Sequence, residues 1–428
     1  MRADTWVGIG RTSLTIPVRG RSFAEIISRK FRVVVDRLRG RKFWICHASH
    51  EHDRIYTENV CEFLGAMGVE CKVLEFESPG NRLELRQCLD DRTIAILGIN
   101  SQLDHCWIDE ANFVEVAAKQ NVPVIHWILD HPSSRWPEFT HATAENSKFM
   151  LMSEFSEQYF RRYCLSDART ASVAGHGPNW RSRIDTLSRR SFLERAIPCL
   201  IPLNVRRIGG TFDDAQARLQ TLESGTSEAV KEAIELSRFN LNDPIEVHLN
   251  ACLIRRGRDL TDPQFHFCFQ IVEETVQIWR RLRVFEVASK FPVSIQTDIA
   301  PKSLLSGAVA TCSDDPRTNS MPATIARMKS CRSVVNCNYA SDMLHDRTEN
   351  GLNAGCVSIV EDTPIHRRLF RHGENALLFR HDDDSLSECL DLVCNRPDRA
   401  FEIAQAGFPA RDNPAIRFGG YENFLDLF

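Results

Sequence analysis

Apolar residues recur along this chain in two rhythms. Short apolar runs occupy 42–47, 71–76, 94–99, 122–128, 148–152 and 170–174. Between them, Val60, Phe63, Leu64 and Met67 recur three or four positions apart and stop at Gly68. Phe113, Val114 and Ala117 mark a second such segment over 108–119, and 154–163 reads as a third helix. Buried strands alternating with helices predict a parallel sheet with helices on both faces. In such sheets functional residues gather beyond the carboxyl ends of the strands, here the loops 47–53, 100–102, 130–136 and 175–180.

The pattern restarts after a linker rich in Arg and Ser over 181–195. An apolar run at 197–202 precedes helical spacing over 212–238, a polar stretch over 245–260 that fits no element, and a long helix over 264–290. Strands are predicted at 291–297 and 332–336, and a helix at 321–329. From Ser330 to Gly407 the order is strand, loop, short helix, strand, acidic turn, helix, strand and closing helices. The predicted fold class is therefore α/β, with two doubly wound Rossmann-like domains facing across a cleft. The boundaries read as a basic extension over 1–40, a first domain over 41–182, a second over 190–410, and an aromatic C-terminal segment over 411–428.

Composition narrows the function classes. At 428 residues the chain suits two domains, and 43% hydrophobic with 26% charged residues is ordinary for a globular protein. A net charge of -4 gives no electrostatic case for nucleic acid. No apolar run approaches the ~20 residues of a membrane helix, and the first residues lack the apolar core of a signal peptide. Residues 22–40 interleave Arg with Phe, Ile and Val, and read as a solvated helix or as a membrane-surface contact. The 15 cysteines are scattered with no Cys-x-x-Cys pair, which points to reduced thiols and a cytoplasmic location.

Several stretches carry candidate chemistry. The loop at 47–53 holds His47, His50 and His52 with Glu51 and Asp53, and is open to metal binding, acceptor contact or plain solvation. Asp130-His131-Pro132 follows a buried strand, so Asp130 and His131 are candidate catalytic groups; Asp130 could equally cap its own turn. The short helix over 346–354 points its N-terminus into the predicted crevice, where free N–H groups and the helix dipole suit a phosphate. Arg347, one residue into it, would add a guanidinium. Asp382-Asp383-Asp384 invites a metal reading, but Ser385 and Glu388 form a capping box for a following apolar helix, so the stretch reads as structural.

These pieces together carry a resemblance. Val334-Val335-Asn336, His345-Asp346-Arg347, the small-residue helix ending at Gly355, the apolar strand before Glu361-Asp362, Phe370 to Phe379, and Ile403-Ala404-Gln405-Ala406-Gly407 stand in the order of the donor half of GT-B glycosyltransferases. The chain resembles the CgeB-like and "glycosyl transferases group 1" proteins. Trp127-Ile128-Leu129-Asp130-His131-Pro132 is similar to their W-x-x-D-x-P, and Gly175-His176-Gly177 to the P-H-G loop of many GT-B enzymes, with Gly in place of Pro. The resemblance implies a GT-B fold in which the segment 411–428 packs back on the first domain, and metal-independent sugar transfer from a nucleotide-sugar donor, as co-substrate and not cofactor, to an unknown glycan or protein acceptor. It implies donor contacts at His176, His345, Arg347, Asn350, Gly355 and Glu361. Asn350 replaces the usual Glu at the ribose position, and Glu349 beside it is expected to face elsewhere. Leu203-Asn204 and Thr297-Asp298 stand where relatives end strands in Gly. Those departures keep two alternatives open: an inactive GT-B scaffold binding glycan or protein, and a nucleotide-sugar epimerase.

Overall fold

A computed structural model describes residues 40–134, 146–179, 182–205, 212–297, 311–313, 320–337, 342–417 and 420–427. The basic segment 1–39, and with it most of the stretch considered for a membrane surface, lies outside the described residues.

The first unit runs β1 (Lys42–Ala48), α1 (Glu51–Ala66), β2 (Glu70–Phe76), β3 (Thr93–Ile99), α2 (Phe113–Lys119), β4 (Val124–Ile128), β5 (Ser147–Leu151), α3 (Glu154–Tyr163) and β6 (Arg169–Ser172). Its six strands pair in the order β2-β1-β3-β4-β5-β6, all parallel. Successive residues of β1 go to opposite faces. Phe43 and Ile45 pack with Val60, Phe63 and Leu64 of α1, while Trp44 and Cys46 pack with Leu103 and Phe113 on the other side. A strand buried on both faces is uniformly apolar, which is why the runs were continuous rather than alternating.

The second unit begins with α4 (Arg189–Leu193) and β7 (Ile197–Pro202). Four helices follow: α5 (Phe212–Gln220), α6 (Ser224–Phe239), α7 (Ile245–Arg255) and α8 (Asp262–Ala288). The sheet resumes with β8 (Ser294–Gln296), β9 (Thr311–Ser313), α9 (Met321–Met328), β10 (Cys331–Asn336), α10 (Asp346–Asn353), β11 (Val357–Glu361), α11 (Pro364–Leu369), β12 (Leu377–Phe379), α12 (Ser385–Asn395) and α13 (Pro397–Gly407). The strands pair in the order β9-β8-β7-β10-β11-β12, again all parallel. The chain order reverses between β7 and β10, the switch point where doubly wound sheets hold ligands. Two Rossmann-like sheets joined in this way are the GT-B architecture.

The stretch over 245–260 that resisted placement contains α7. Ile245, Leu249, Cys252 and Leu253 form one buried stripe against α6 and α8, while the outer face mixes polar residues with the exposed Ile254. Helix α8 spans 27 residues, roughly 40 Å at 1.5 Å per residue. The side chain of Gln264 accepts from the Thr261 N–H at its start. Near that start, Phe265 and Phe269 meet Tyr159 of the first unit. Near its end, Val284 and Phe285 enter the core of the second. One helix is thus built into both units. The C-terminal turns also cross over: Tyr421, Phe424, Leu425 and Leu427 complete the first unit's core beside Phe43, Phe63 and Trp127.

Asp382-Asp383-Asp384 leads into α12. The Asp383 carboxylate accepts from the Ser385 N–H, and the Ser385 hydroxyl accepts from the Arg380 N–H, so the capping side chain is Asp383 rather than the Ser385–Glu388 pair.

Candidate functional site

The two units meet where the carboxyl end of β6 touches the start of α10. Leu344 N–H donates to the Ala174 carbonyl at 2.6 Å, and Gly175 bridges Leu344 in parallel register. A Cβ on Gly175 would lie 2.7 Å from the Leu344 carbonyl and 2.8 Å from Glu349 Oε1, so only glycine allows this approach. Gly177 N–H donates to Glu349 Oε1 at 3.1 Å, and Asn179 N–H donates to Asn350 Oδ1 at 2.7 Å. Gly177 itself has φ +75°, in the left-handed region.

His176 sits inside this seam, buried. Its ring stacks on Tyr56 at 4.7 Å and meets His345 edge-on at 6.2 Å. Its carbonyl accepts from Asn59 Nδ2 and from the Tyr421 hydroxyl, while Nδ1 has no partner. Burial pulls the imidazole down to about 3, so it is neutral. The structure therefore brings His176, His345, Arg347 and Asn350 together.

Helix α10 does not offer the bare N-terminus the sequence suggested. The His345 ring accepts from the Arg347 N–H, and the His345 carbonyl takes the Thr348 and Glu349 N–H groups. The Asp346 carboxylate, paired with His345, occupies the positive end of the helix. Burial raises that carboxyl, but its pairing with His345 and then the nearby Arg347 guanidinium outweigh it and hold it well below the usual range. Arg347 is half-buried, with Nη1 3.3 Å from His345 Nε2.

Other expected site residues land elsewhere. Asn350, expected at the ribose, fastens the seam through its side-chain oxygen, which accepts from the Asn179 N–H. Glu349 does not face away: a one-turn helix start places neighbours 100° apart, yet both reach the 174–179 segment because that segment runs along the helix. Gly355, expected as a donor contact, is placed as a helix stop. It has φ +69° at the far end of α10, before β11 begins. Arg195 caps that end, donating to the carbonyls of Cys331, Ala354 and Gly355.

Glu361, expected as a donor contact, is fully buried. Its carboxylate accepts from His381 Nε2 at 2.7 Å and lies 3.8 Å from Arg280 Nη1. Cys337, Glu361 and His381 are the one metal-capable trio among the described residues. Arg280 already supplies the positive charge there, and burial lifts the Cys337 thiol well up, away from the thiolate a metal needs.

In the first unit, Asp130 is exposed at the carboxyl end of β4, with Asn100 Nδ2 3.4 Å from its carboxylate. His131 is instead withdrawn from any crevice. It stacks on Phe269 at 4.6 Å, meets Tyr159 edge-on and pairs with Ser133 Oγ at 2.9 Å. Burial pulls it down to about 3. The expected loop at 47–53 shrinks to Ser49-His50, because β1 runs on to Ala48 and α1 starts at Glu51. Its three histidines do not converge: His47 is buried in the strand, His50 is exposed and His52 is half-buried. Gln102 instead ties the ends of β1 and β3, accepting from Ala48 N–H and donating to Asp53.

Tyr56, Asp346 and Glu349 are the seam residues that sequence reasoning missed. Asp346 and Glu349 stand one helical turn apart, a signal that an i, i+3 reading would have found. Tyr56 looked like an ordinary core aromatic of α1.

Residues 315–412 match the family model described as glycosyl transferase-like. No curated protein matches the chain. Among solved structures, the chain is similar to the Anabaena protein HepE in complex with UDP-glucose, at 9% identity over 90% of this chain and 98% of that one, with a TM-score of 0.46. It is also similar to sucrose-phosphate synthase from Thermosynechococcus elongatus, at 10% identity over 90% and 96%, with a TM-score of 0.49. A glycosyltransferase from Rickettsia africae matches at 12% identity over 90% and 97%, with a TM-score of 0.38.

Proposed function

We propose that this protein transfers a sugar from a nucleotide-sugar donor, held by the second unit at the start of α10, to a glycan or protein acceptor approaching from the first. The observation that carries the reading is coincidence of place. The glycosyl transferase-like match over 315–412 contains α10, and α10 begins at the junction of the two units beside His176 and Arg347.

The chemistry follows from what the departing nucleoside diphosphate needs. Negative charge grows on it as the glycosidic bond breaks, and a placed guanidinium with a helix start can stabilise that charge. Arg347 supplies the guanidinium in this reading. The donor's phosphates would share or displace the Asp346 carboxylate at the helix start. His176, neutral and with Nδ1 unpartnered, is suited to bond a hydroxyl rather than a phosphate. Asp130, exposed at the mouth of β4, is the acceptor-side group placed to take a proton. This reading calls on no resident metal.

The test is a thermal-shift panel of UDP, GDP, ADP, CMP and TDP with their sugars, run on the wild type and on Arg347→Ala. A true donor at 100 times its Kd stabilises by about 2.7 kcal/mol. One responding nucleotide, lost in the variant, supports the reading. Silence across the panel overturns it in favour of a scaffold, a reading that the occupied helix start and the fastened Asn350 also fit. If donor turns over without any acceptor, the epimerase alternative stands instead.

A further inference from the structure

Glu349 is an acid with no water. The residue is 0% exposed, yet only Oε1 has a partner, the Gly177 N–H. Oε2 is buried with none. The Asp346 carboxylate stands one turn earlier on the same helix beside the His345 ring, whose imidazole is pulled down by burial, and the Arg347 guanidinium lies against that ring at 3.3 Å. Among the described residues, the groups that face Glu349 from the other elements carry no positive charge. These are His176, which is neutral, and the hydroxyls of Tyr56 on α1 and Tyr421 in the C-terminal turns. A second uncompensated carboxylate in so dry a place costs several kcal/mol, and neutralisation is the cheaper state.

We propose that Glu349 is carried as the neutral carboxylic acid and acts as a proton latch, holding the first unit's 174–179 segment against α10 until it ionises. On ionisation the O–H bond breaks, the proton passes to bulk water and the carboxylate stays. That carboxylate must then find solvent, and the nearest route is to part the seam that Gly175 lets close. Burial, followed by the Asp346 charge, pushes the Glu349 carboxyl well above its ordinary range, which outweighs the Gly177 hydrogen bond. The latch sets the position of His176 against His345 and Arg347 whatever chemistry they perform, so it does not rest on the proposed transfer.

The experiment is amide hydrogen exchange on the full chain from pH 6 to 9. Protection of Gly177 and Asn179 is corrected for intrinsic rates and compared between wild type and Glu349→Gln. Glutamine keeps the acceptor for Gly177 and cannot ionise. In the wild type, protection should fall up to tenfold per pH unit once Glu349 ionises. In Glu349→Gln it should stay flat. Parallel curves, or wild-type protection that holds throughout, overturn the latch. Should the variant fail to fold, infrared spectroscopy of protein labelled with carbon-13 glutamate decides the matter. It is run in a Glu246→Gln background, because burial pushes that carboxyl up to about 7. A glutamic-acid carbonyl band present at pH 7 supports the proposal, and its absence overturns it.

Discussion

Gly175 is a narrow point of the seam between the two units. A methyl group there meets the Leu344 carbonyl and the Glu349 carboxyl at less than 3 Å, and the first of these is backbone that cannot swing away. Gly175→Ala should cost on the order of 1–3 kcal/mol, as overpacking typically does, read as a lowered urea midpoint with unchanged slope. Arg347→Ala should leave that midpoint nearly still, because the side chain is only half-buried. It should weaken nucleoside-diphosphate binding about tenfold or more, the scale of a charge-assisted hydrogen bond at ~1.5–3 kcal/mol, measured by calorimetry. The sequence led to His345 and Arg347 because a helix start after a strand is legible from local pattern. It was silent on the surroundings of Gly355 and Glu361. Motif order cannot say that Gly355 lies at the opposite end of α10, or that Glu361 has as its partner a buried histidine just past the next strand. Both facts depend on contacts between segments distant in the chain.

At the scale of elements, the strands were readable because parallel strands covered on both faces leave unbroken apolar runs. Helix α7 was not, because its outer His, Asn and Arg dilute a stripe that only its neighbours reveal. Helix α8 could be seen but not its double allegiance: its apolar positions go to two different cores. Phe269 carries that bridge, stacked on His131 and packed on Tyr159. Phe269→Ala should destabilise by ~3–5 kcal/mol. It should also separate unfolding of the two units, seen as two calorimetric transitions where the wild type shows one. His131 has a further consequence. Its folded-state value is lowered to about 3, so the folded protein refuses a proton that the unfolded chain accepts below about 6.5. Stability from this site is complete above that pH and is lost toward about 3 as pH falls, by up to ~1.4 kcal/mol per unit. His131→Phe keeps an aromatic ring on Phe269 and should flatten the acid limb of a plot of unfolding free energy against pH.

Across the whole molecule, Glu349 tilts the opposite limb. Its value is raised on folding, so the folded state holds a proton the unfolded chain has released. Its contribution is full below the ordinary carboxylate range and declines as pH rises toward the folded value. Thermal midpoints of Glu349→Gln should therefore gain on the wild type with increasing pH. The tail is the other global device. Removing residues 420–428 would uncover Phe43, Phe63 and Trp127 and take away the Tyr421 hydroxyl that holds the His176 carbonyl. Limited proteolysis of such a truncation should cut within the first unit while sparing the second. The tail also sets a timetable. Lys148 of β5 hydrogen-bonds the Leu427 carbonyl across 279 positions. At ~5–20 residues per second of synthesis, that delay is on the order of tens of seconds. During it the six strands of the first unit are made but their core lacks its last aromatic wall, so the half of the protein that is born first is finished last.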